Sequence, residues 1–476
     1  MVEISEYMIR ANPWWKTHFE FILDFKYREI LSKIEKYLPL KQIIALVGLR
    51  RVGKTMIMKK IIQNEISRGF SHRHILYFSF DEFQNEELET ILAQFEELTD
   101  IEYQSERILL VLDEIQKMRN WQNQIKTYYD LYPNIKIILS GSESLFIQKS
   151  SKETLAGRIF LFRIDTLTFR EFIKFKGKNF DDFSPISLYQ HELKGLWNEF
   201  IRSQGFPELV GIHDQEIIKK YLEESLLEKI LFKEIPYSYN IRDISLLETL
   251  LKLIYQNPGQ IIQPAKIAVD LGKTRQTISQ YLTYLENSFL IKKLYNFSRD
   301  LRKVERKLKR YYPSIVSVDL VFKNDVLSKS KIFEWAVIKL LGVDFFWRNS
   351  QQNEVDAILV GDNKELYPIE VKFGKIQTKG LMKFMKQFKI DQGYIISWKE
   401  NKIIKIPQTQ ADNNHNKSYN RKQSKHSKQS KQSKQSKQSK GSKESKEVKE
   451  KSIVVIPVIK YFLSADKEKI LKEIKE

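Results

Sequence analysis

The strongest constraint on this chain is eight residues long. Gly48-Leu49-Arg50-Arg51-Val52-Gly53-Lys54-Thr55 lies directly between an apolar run, Ile43 to Val47, and a helical stretch, Met56 to Ile62. An apolar strand that turns through glycines into a helix leaves backbone N–H groups converging at the helix N-terminus, where they wrap phosphate. In that setting Lys54 reaches the β and γ phosphates of a nucleoside triphosphate and the Thr55 hydroxyl reaches Mg²⁺. Gly48, Leu49, Arg50, Arg51, Val52, Gly53, Lys54 and Thr55 are therefore the candidate nucleotide-binding residues.

Such a site needs a second half, an apolar strand ending in a carboxylate, and Ile108-Leu109-Leu110-Val111-Leu112-Asp113-Glu114 supplies it. Alone, this run reads as a buried strand entering a solvated acidic turn. Paired with the phosphate loop, Asp113 is expected in the Mg²⁺ shell and Glu114 beside the attacking water. A third strand, Ile135 to Leu139, ends in Ser140-Gly141-Ser142, which makes Ser142 a candidate sensor of the γ phosphate, although a Gly-Ser turn fits equally well. Arg158 is a candidate for neutralising transition-state charge in its own or a neighbouring subunit, with a solvated arginine as the competing reading. The runs Ile43 to Val47, Ile75 to Phe78, Ile108 to Leu112 and Ile135 to Leu139, separated by helical stretches, predict a parallel α/β sheet.

These residues resemble the prokaryotic AAA-type ATPases that carry a C-terminal restriction-endonuclease-like domain of unknown function. The resemblance rests on Gly48 to Thr55, LDEIQKMRNW (Leu112 to Trp121), SGSES (Ser140 to Ser144), LAGRI (Leu155 to Ile159) and LTFREF (Leu167 to Phe172). GFPEL (Gly205 to Leu209) and KRYYPSIVSVDL (Lys309 to Leu320) extend it more weakly. It implies an ATP-binding core in which Asp113 and Glu114 are the Walker B pair, Ser142 lies near the sensor position and Arg158 matches a recurrent arginine.

At 476 residues the chain has room for roughly three domains. Residues 1–40 read as lead-in helix, with apolar positions at helical spacing (Phe19, Ile22, Leu23, Tyr27, Ile30, Leu31, Ile34), and 41–175 as the ATPase core. A helical lid or linker is expected over 176–258. A winged helix-turn-helix is expected over 259–315, from a helix Pro264 to Leu271, a turn at Gly272, a helix Thr274 to Asn287 and a strand Phe289 to Leu294. The remainder, 316–476, mixes a helix at Ile332 to Leu341 with strands at Ala357 to Val360, Leu366 to Val371 and Gly393 to Ile396, so the fold class is α/β throughout its two ends. Within it, 411–451 holds the three-residue Lys/Gln/Ser repeat of Ser427 to Lys440, which has no apolar content to offset chain entropy and is expected to be disordered. Ile453 to Leu463 beyond it reads as strand-like.

In this last region Glu334 on the helix, Asp356, and Glu370-Val371-Lys372 closing an apolar strand resemble the restriction-endonuclease-like pattern. The resemblance implies that Asp356 and Glu370 share a second divalent ion, that Glu334 completes its shell and that Lys372 orients the water. Solvated strand ends are the bland alternative. Whether such a site cleaves DNA is a separate question from whether it folds.

Charge narrows the partners. The net +20, from 80 Lys and Arg against 60 Asp and Glu, invites a nucleic-acid reading, but it is unevenly placed. Lys417 to Lys451 holds thirteen basic and three acidic residues (+10), and Lys292 to Arg310 nine basic and two acidic (+7), which leaves the rest near neutral. Candidate DNA contacts are Lys273, Arg275, Gln276 and Ser279 at the start of the second helix, with the basic segment 292–310 beside them. The absence of cysteine excludes disulfides, thiolate metal sites and cysteine nucleophiles and fits a cytoplasmic protein; the seven histidines form no ligand-spaced pair. No apolar stretch approaches the roughly 20 residues that span a bilayer, so neither membrane insertion nor export is expected.

Three functions fit these signals. The first is an ATPase using ATP and Mg²⁺ to switch the winged-helix and nuclease-like parts. The second is a DNA-binding regulator in which ATP is an ordering ligand, and the third is an ATP-gated metal-dependent nuclease. A protein partner for the helical region and an oligomer are compatible with each.

Overall fold

The computed structural model describes residues 3–16, 19, 23–141, 154–180, 188–406 and 451–463. The first sheet has five strands, β1 (Ile43–Val47), β2 (Ile75–Ser79), β3 (Ile108–Asp113), β4 (Ile135–Gly141) and β5 (Ile159–Arg163), in the order β2-β3-β4-β1-β5. All its pairings are parallel, for example Ile44 with Ile138 and Ser79 with Asp113. The near-continuous apolar content of β1 and β3 follows from burial on both faces, since helices such as Lys54–Ser67 and Trp121–Leu131 cover the sheet. Because β1 sits between β4 and β5, its C-terminal end opens beside theirs, one strand away from that of β3, and the phosphate loop emerges there. The fifth strand, IFLFR, is only partly buried and is not among the strands expected above, although its run is apolar.

The outer edge of β2 would expose backbone groups, and residues 7–15 close it with side chains. Asn12 behaves like a strand residue: its Oδ1 accepts from Tyr77 N (2.7 Å) and its Nδ2 donates to Tyr77 O (2.9 Å). Tyr7 OH bonds Ser79 N and O, while the Trp14 and Trp15 indoles both donate to Ile75 O. A single lead-in helix through Phe19 to Ile34 is not what forms. Helices run over Ile4–Ala11 and Glu29–Glu35, Ile22 lies outside the described residues, and Arg28 is extended. Arg28 is drawn out of helical geometry because its guanidinium serves three groups at once: Val52 O (2.7 Å), Asp165 O (2.7 Å) and Glu171 Oε1 (3.1 Å).

The second sheet has nine strands: β6 (Gln260–Ile262), β7 (Ile291–Asn296), β8 (Lys309–Pro313), β9 (Phe345–Arg348), β10 (Glu354–Val360), β11 (Leu366–Lys372), β12 (Gln392–Ser397), β13 (Lys402–Lys405) and β14 (Ser452–Pro457). Their order is β13-β14-β12-β11-β10-β9-β7-β8-β6. The strands after the helix pair Pro264–Asp270 and Arg275–Asn287 therefore belong to the same sheet as the C-terminal α/β region. The seam is a short parallel pairing of β7 with β9, reinforced by Asn296, whose side chain bonds both N and O of Arg348. The strand-like reading of Ile453 to Leu463 holds only to Pro457; Val458–Leu463 is helical and packs on the helices Phe169–Phe175 and Gln190–Ser203, with Trp197 stacked on Phe462 at 6.2 Å. The repeat segment 411–450 lies outside the described residues.

One knot joins the two sheets. Gln204, in the left-handed conformation (φ 52), donates to Val316 O and accepts from Val316 N, both at 2.8 Å. Lys339 donates to Gln204 O and Ser314 O, each at 3.0 Å. Next to it Gly205 (φ 78) accepts from Leu167 N at 2.7 Å, and an added Cβ would stand 2.8 Å from Leu167 O, so only glycine fits.

Candidate nucleotide site

The phosphate loop folds as its glycines require. Gly48 (φ 152) and Gly53 (φ 97) both lie in the region that disfavours side chains, and a Cβ on Gly48 would stand 2.2 Å from Ile164 O on the segment that follows β5. Gly53 is the N-cap of the helix Lys54–Ser67, so that helix's first N–H groups face the loop. Lys54 is buried and curls back onto Gly48 O and Leu49 O, each at 3.0 Å. Burial lowers its pKa, with Glu114 and Asp113 opposing the shift.

The structure brings Thr55, Asp113 and Glu114 to the same place. Thr55 Oγ1 donates to Asp113 Oδ2 at 2.6 Å. Asp113 also accepts from Tyr77 OH (3.0 Å), from Ser140 Oγ and from Glu114 N (3.2 Å). Tyr77 is held well above the usual phenol range by burial and by the Asp113 charge. Glu114 sits in the left-handed conformation (φ 53), with its carboxylate bonded by Gln116. Such a backbone outlier beside a ligand cavity is the kind of strain that functional sites hold.

A cavity of about 330 Å³ opens over these groups. Its floor is Gly53, Lys54, Thr55 and Glu114, and its far wall is Pro207, Glu208, Ser225 and Lys229. The wall comes from the GFPEL segment, from the π-helical turn Glu223–Leu227 and from Lys229 just before the second such turn, Ile230–Glu234. Arg51 reaches across it, pairing with Glu208 at 2.9 Å and stacking on Tyr221, while Arg50 pairs with Glu234 beside the cavity. Glu208, Glu234, Ser225, Lys229, Tyr77 and Ser140 were not singled out as site residues from sequence. Ser140 and GFPEL stood inside quoted motifs, whereas nothing local marks the others.

Hard oxygen donors at Thr55 and Asp113, with a nucleotide's own phosphates, are what Mg²⁺ takes in such sites, so the residues present fit that ion. Ser142 lies outside the described residues. Arg158 is not brought to the loop of its own chain. Its carbonyl accepts from Ile43 N at the start of β1, roughly 16 Å of strand from Gly48. Its guanidinium pairs there with Asp130 (2.9 and 3.2 Å), which holds the Asp130 carboxyl down at about 2.

The C-terminal constellation also comes together. Glu334, Asp356 and Glu370 converge with Glu354, and the Arg310 guanidinium from β8 stands among them, 3.4 Å from Asp356, 3.6 Å from Glu334 and paired with Glu354. Lys372 lies 3.0 Å from Glu370. Among the described residues no group of three His, Cys, Asp or Glu side chains is disposed to hold a metal ion. Where Glu334, Asp356 and Glu370 were expected to share a second divalent ion, Arg310 stands beside Glu334 and Asp356 and Lys372 pairs with Glu370. Burial raises the Glu334 and Glu370 carboxyls to about 7, with Asp356 adding to both and Lys372 opposing.

The basic segment 292–310 is largely spoken for within the chain. Lys292 pairs with Asp344, Lys293 with Glu286 and Lys309 with Glu305; Arg299 and Lys307 bond carbonyls, and Arg310 is buried. Lys273 pairs with Asp243 at 2.9 Å, leaving Arg275, Gln276 and Ser279 exposed on the helix Arg275–Asn287. Among the described residues no helix is long and apolar enough to cross a membrane.

Residues 40–173 match the family model described as AAA domain, so this part of the chain is similar to AAA-type P-loop ATPase domains. Residues 195–314 and 340–413 match two models described as domains of unknown function, DUF8612 and DUF4143. Two uncharacterized proteins of Methanocaldococcus jannaschii are 29% identical over 77% of this chain and 84% of their own length, and 28% identical over 80% and 87%. An uncharacterized protein of Haemophilus influenzae is 27% identical over 52% of this chain and 60% of its own length. Among solved structures, a replication initiator DnaA bound to AMPPCP and single-stranded DNA aligns over 55% of this chain and 90% of that one, at 16% identity and TM-score 0.27. Cdc6p from Pyrobaculum aerophilum aligns over 69% and 98%, at 11% identity and TM-score 0.27. Scores at this level carry no argument about ligand or partner.

Proposed function

We propose that this protein binds ATP with Mg²⁺ in the cavity over Lys54, hydrolyses it, and uses the nucleotide state to move the helical segment 207–234 and the regions joined to it. The observation that carries the reading is the convergence of Lys54, Thr55 and Glu114 on one cavity, with Asp113 bonded to Thr55 beside it and the opposite wall tied to the loop by Arg51.

In this reading the loop N–H groups and Lys54 bind the β and γ phosphates, Thr55 and Asp113 hold Mg²⁺, and Glu114 orients the attacking water. The bound ion supplies charge neutralisation at the phosphoryl oxygens. Ser140 and Tyr77 fix the Asp113 carboxylate so that it need not reorganise during the reaction. Arg50 and Arg51 are shared: a triphosphate competes with Glu234 and Glu208 for the same guanidinium groups, so loading weakens the pairing of the loop with the π-helical wall. Ser142 and Arg158 remain candidates for sensing and for charge neutralisation from a neighbouring subunit.

The test is ATP binding and turnover by wild type and Lys54→Ala, with folding checked by circular dichroism. Affinity should fall by about 100-fold or more in the variant. Equal, background-level binding by both proteins would overturn the proposal.

A further inference from the structure

We infer that Arg310 is the resident cation of the C-terminal carboxylate cluster, seated among Glu334, Glu354 and Asp356 where these side chains would otherwise gather a divalent ion, and that it makes the cluster a latch between β8 and the C-terminal sheet.

Each carboxylate facing the centre already has a donor. Glu334 Oε1 accepts from Tyr312 OH at 2.7 Å and lies 3.6 Å from Arg310 NH1. Asp356 divides its oxygens, with Oδ1 3.4 Å from Arg310 NH1 and Oδ2 accepting from Val371 N at 2.9 Å. Glu354 bridges two arginines, Arg310 and Arg348, the latter at 2.9 Å. Glu370 accepts from Leu381 N at 2.9 Å and pairs with Lys372 at 3.0 Å. The guanidinium rests over the Phe346 ring at 5.1 Å and is buried, so it is not a surface arginine that happens to lean in. Its Nε is a buried donor without a hydrogen-bond partner, which indicates that charge, not complete hydrogen bonding, holds the group there.

A divalent ion and a guanidinium cannot share this space, because at these separations their repulsion in a partly dry interior exceeds what the remaining oxygens offer. The arginine also arrives from a different part of the chain. Arg310 is on β8, two strands beyond β9 in the sheet, and β8 leads directly to Ser314 and Val316, the residues gripped by Lys339 and Gln204. The cluster therefore ties the strand that follows the helix pair to the C-terminal sheet, at one end of the same knot that joins the sheet to the ATPase domain. It performs as charge cross-link what the carboxylate spacing suggests would be a metal centre.

The experiment uses the full chain without nucleotide and with Mn²⁺ as probe. Wild type and Asp356→Asn should bind Mn²⁺ identically in calorimetric and electron paramagnetic titrations. Arg310→Ala should unfold at a lower temperature than wild type, gain an Asp356-dependent Mn²⁺ site and recover at least a few degrees of midpoint when Mn²⁺ is added. Arg310→Ala/Asp356→Asn should show neither gain. A wild-type Mn²⁺ site lost in Asp356→Asn overturns the inference, and that arm needs no unstable variant. So does a folded Arg310→Ala protein that is indifferent to Mn²⁺.

Discussion

The phosphate loop and the C-terminal cluster each gather carboxylates and cations at strand ends, yet they commit those charges differently. At the loop, among the described residues, Asp113 accepts from uncharged donors, Thr55, Tyr77, Ser140 and a backbone N–H, and Lys54 rests on two carbonyl oxygens. Opposite charges face one cavity without neutralising each other, so a ligand can satisfy both. At the cluster, the carboxylates are already engaged by Arg310, Arg348 and Lys372. Acidic residues in a suggestive pattern thus mark a ligand site only when their counter-charge is left for something else to supply.

The comparison can be broken at either end. The largest effect is expected from Glu114→Gln, which keeps shape and removes the base; turnover should fall by about 10²–10⁴-fold while ATP affinity is retained. If turnover survives, Glu114 has no role and the loop end is only a binding site. Next comes Arg28→Ala. It removes the partner of the buried Glu171 and the donor to Val52 O, and it should lower unfolding free energy in urea by about 3–5 kcal/mol. A loss under about 1 kcal/mol would mean that this ion pair, unlike the C-terminal one, is not structural.

The smallest effect concerns the knot between them. Desolvation pulls the Lys339 ammonium down to about 7, with Asp165 opposing. Its folded pKa lies below the unfolded value, so between pH 7 and the ordinary lysine range the unfolded chain binds more protons and stability rises with pH. Wild type should gain on the order of 1 kcal/mol across that window, after allowing for screening, and Lys339→Met should flatten the gain. A curve that falls with pH, or one unchanged in the variant, would remove Lys339 from this account.

Much of the ATPase sheet is legible in the chain because its signals are local. Ile43 to Val47 forms β1 with those bounds, and Ile75, Ile108 and Ile135 each begin the strands they predict. Strand β5 was legible as the apolar run IFLFR but was not among the strands expected, and the lead-in segment misleads because its helical spacing loses to the three contacts of Arg28. The floor of the nucleotide site is similarly local, since Lys54, Thr55, Asp113 and Glu114 belong to two short runs. Its wall is not. Glu208 and Glu234 lie over 150 residues from the arginines they hold, and no neighbouring residue announces either pairing.

By itself, the sequence determined that a phosphate loop would form after β1 and that a carboxylate pair would face it, because glycine conformation, strand burial and helix polarity act within a few residues. Only the tertiary structure decided what the charges do. It placed Arg158 at the far end of the sheet, paired off most of the basic stretch 292–310, and set Arg310 among carboxylates to which the family resemblance gives a metal. Coulomb interactions depend on distance and dielectric, and for residues far apart in the chain both are known only once the sheets have packed.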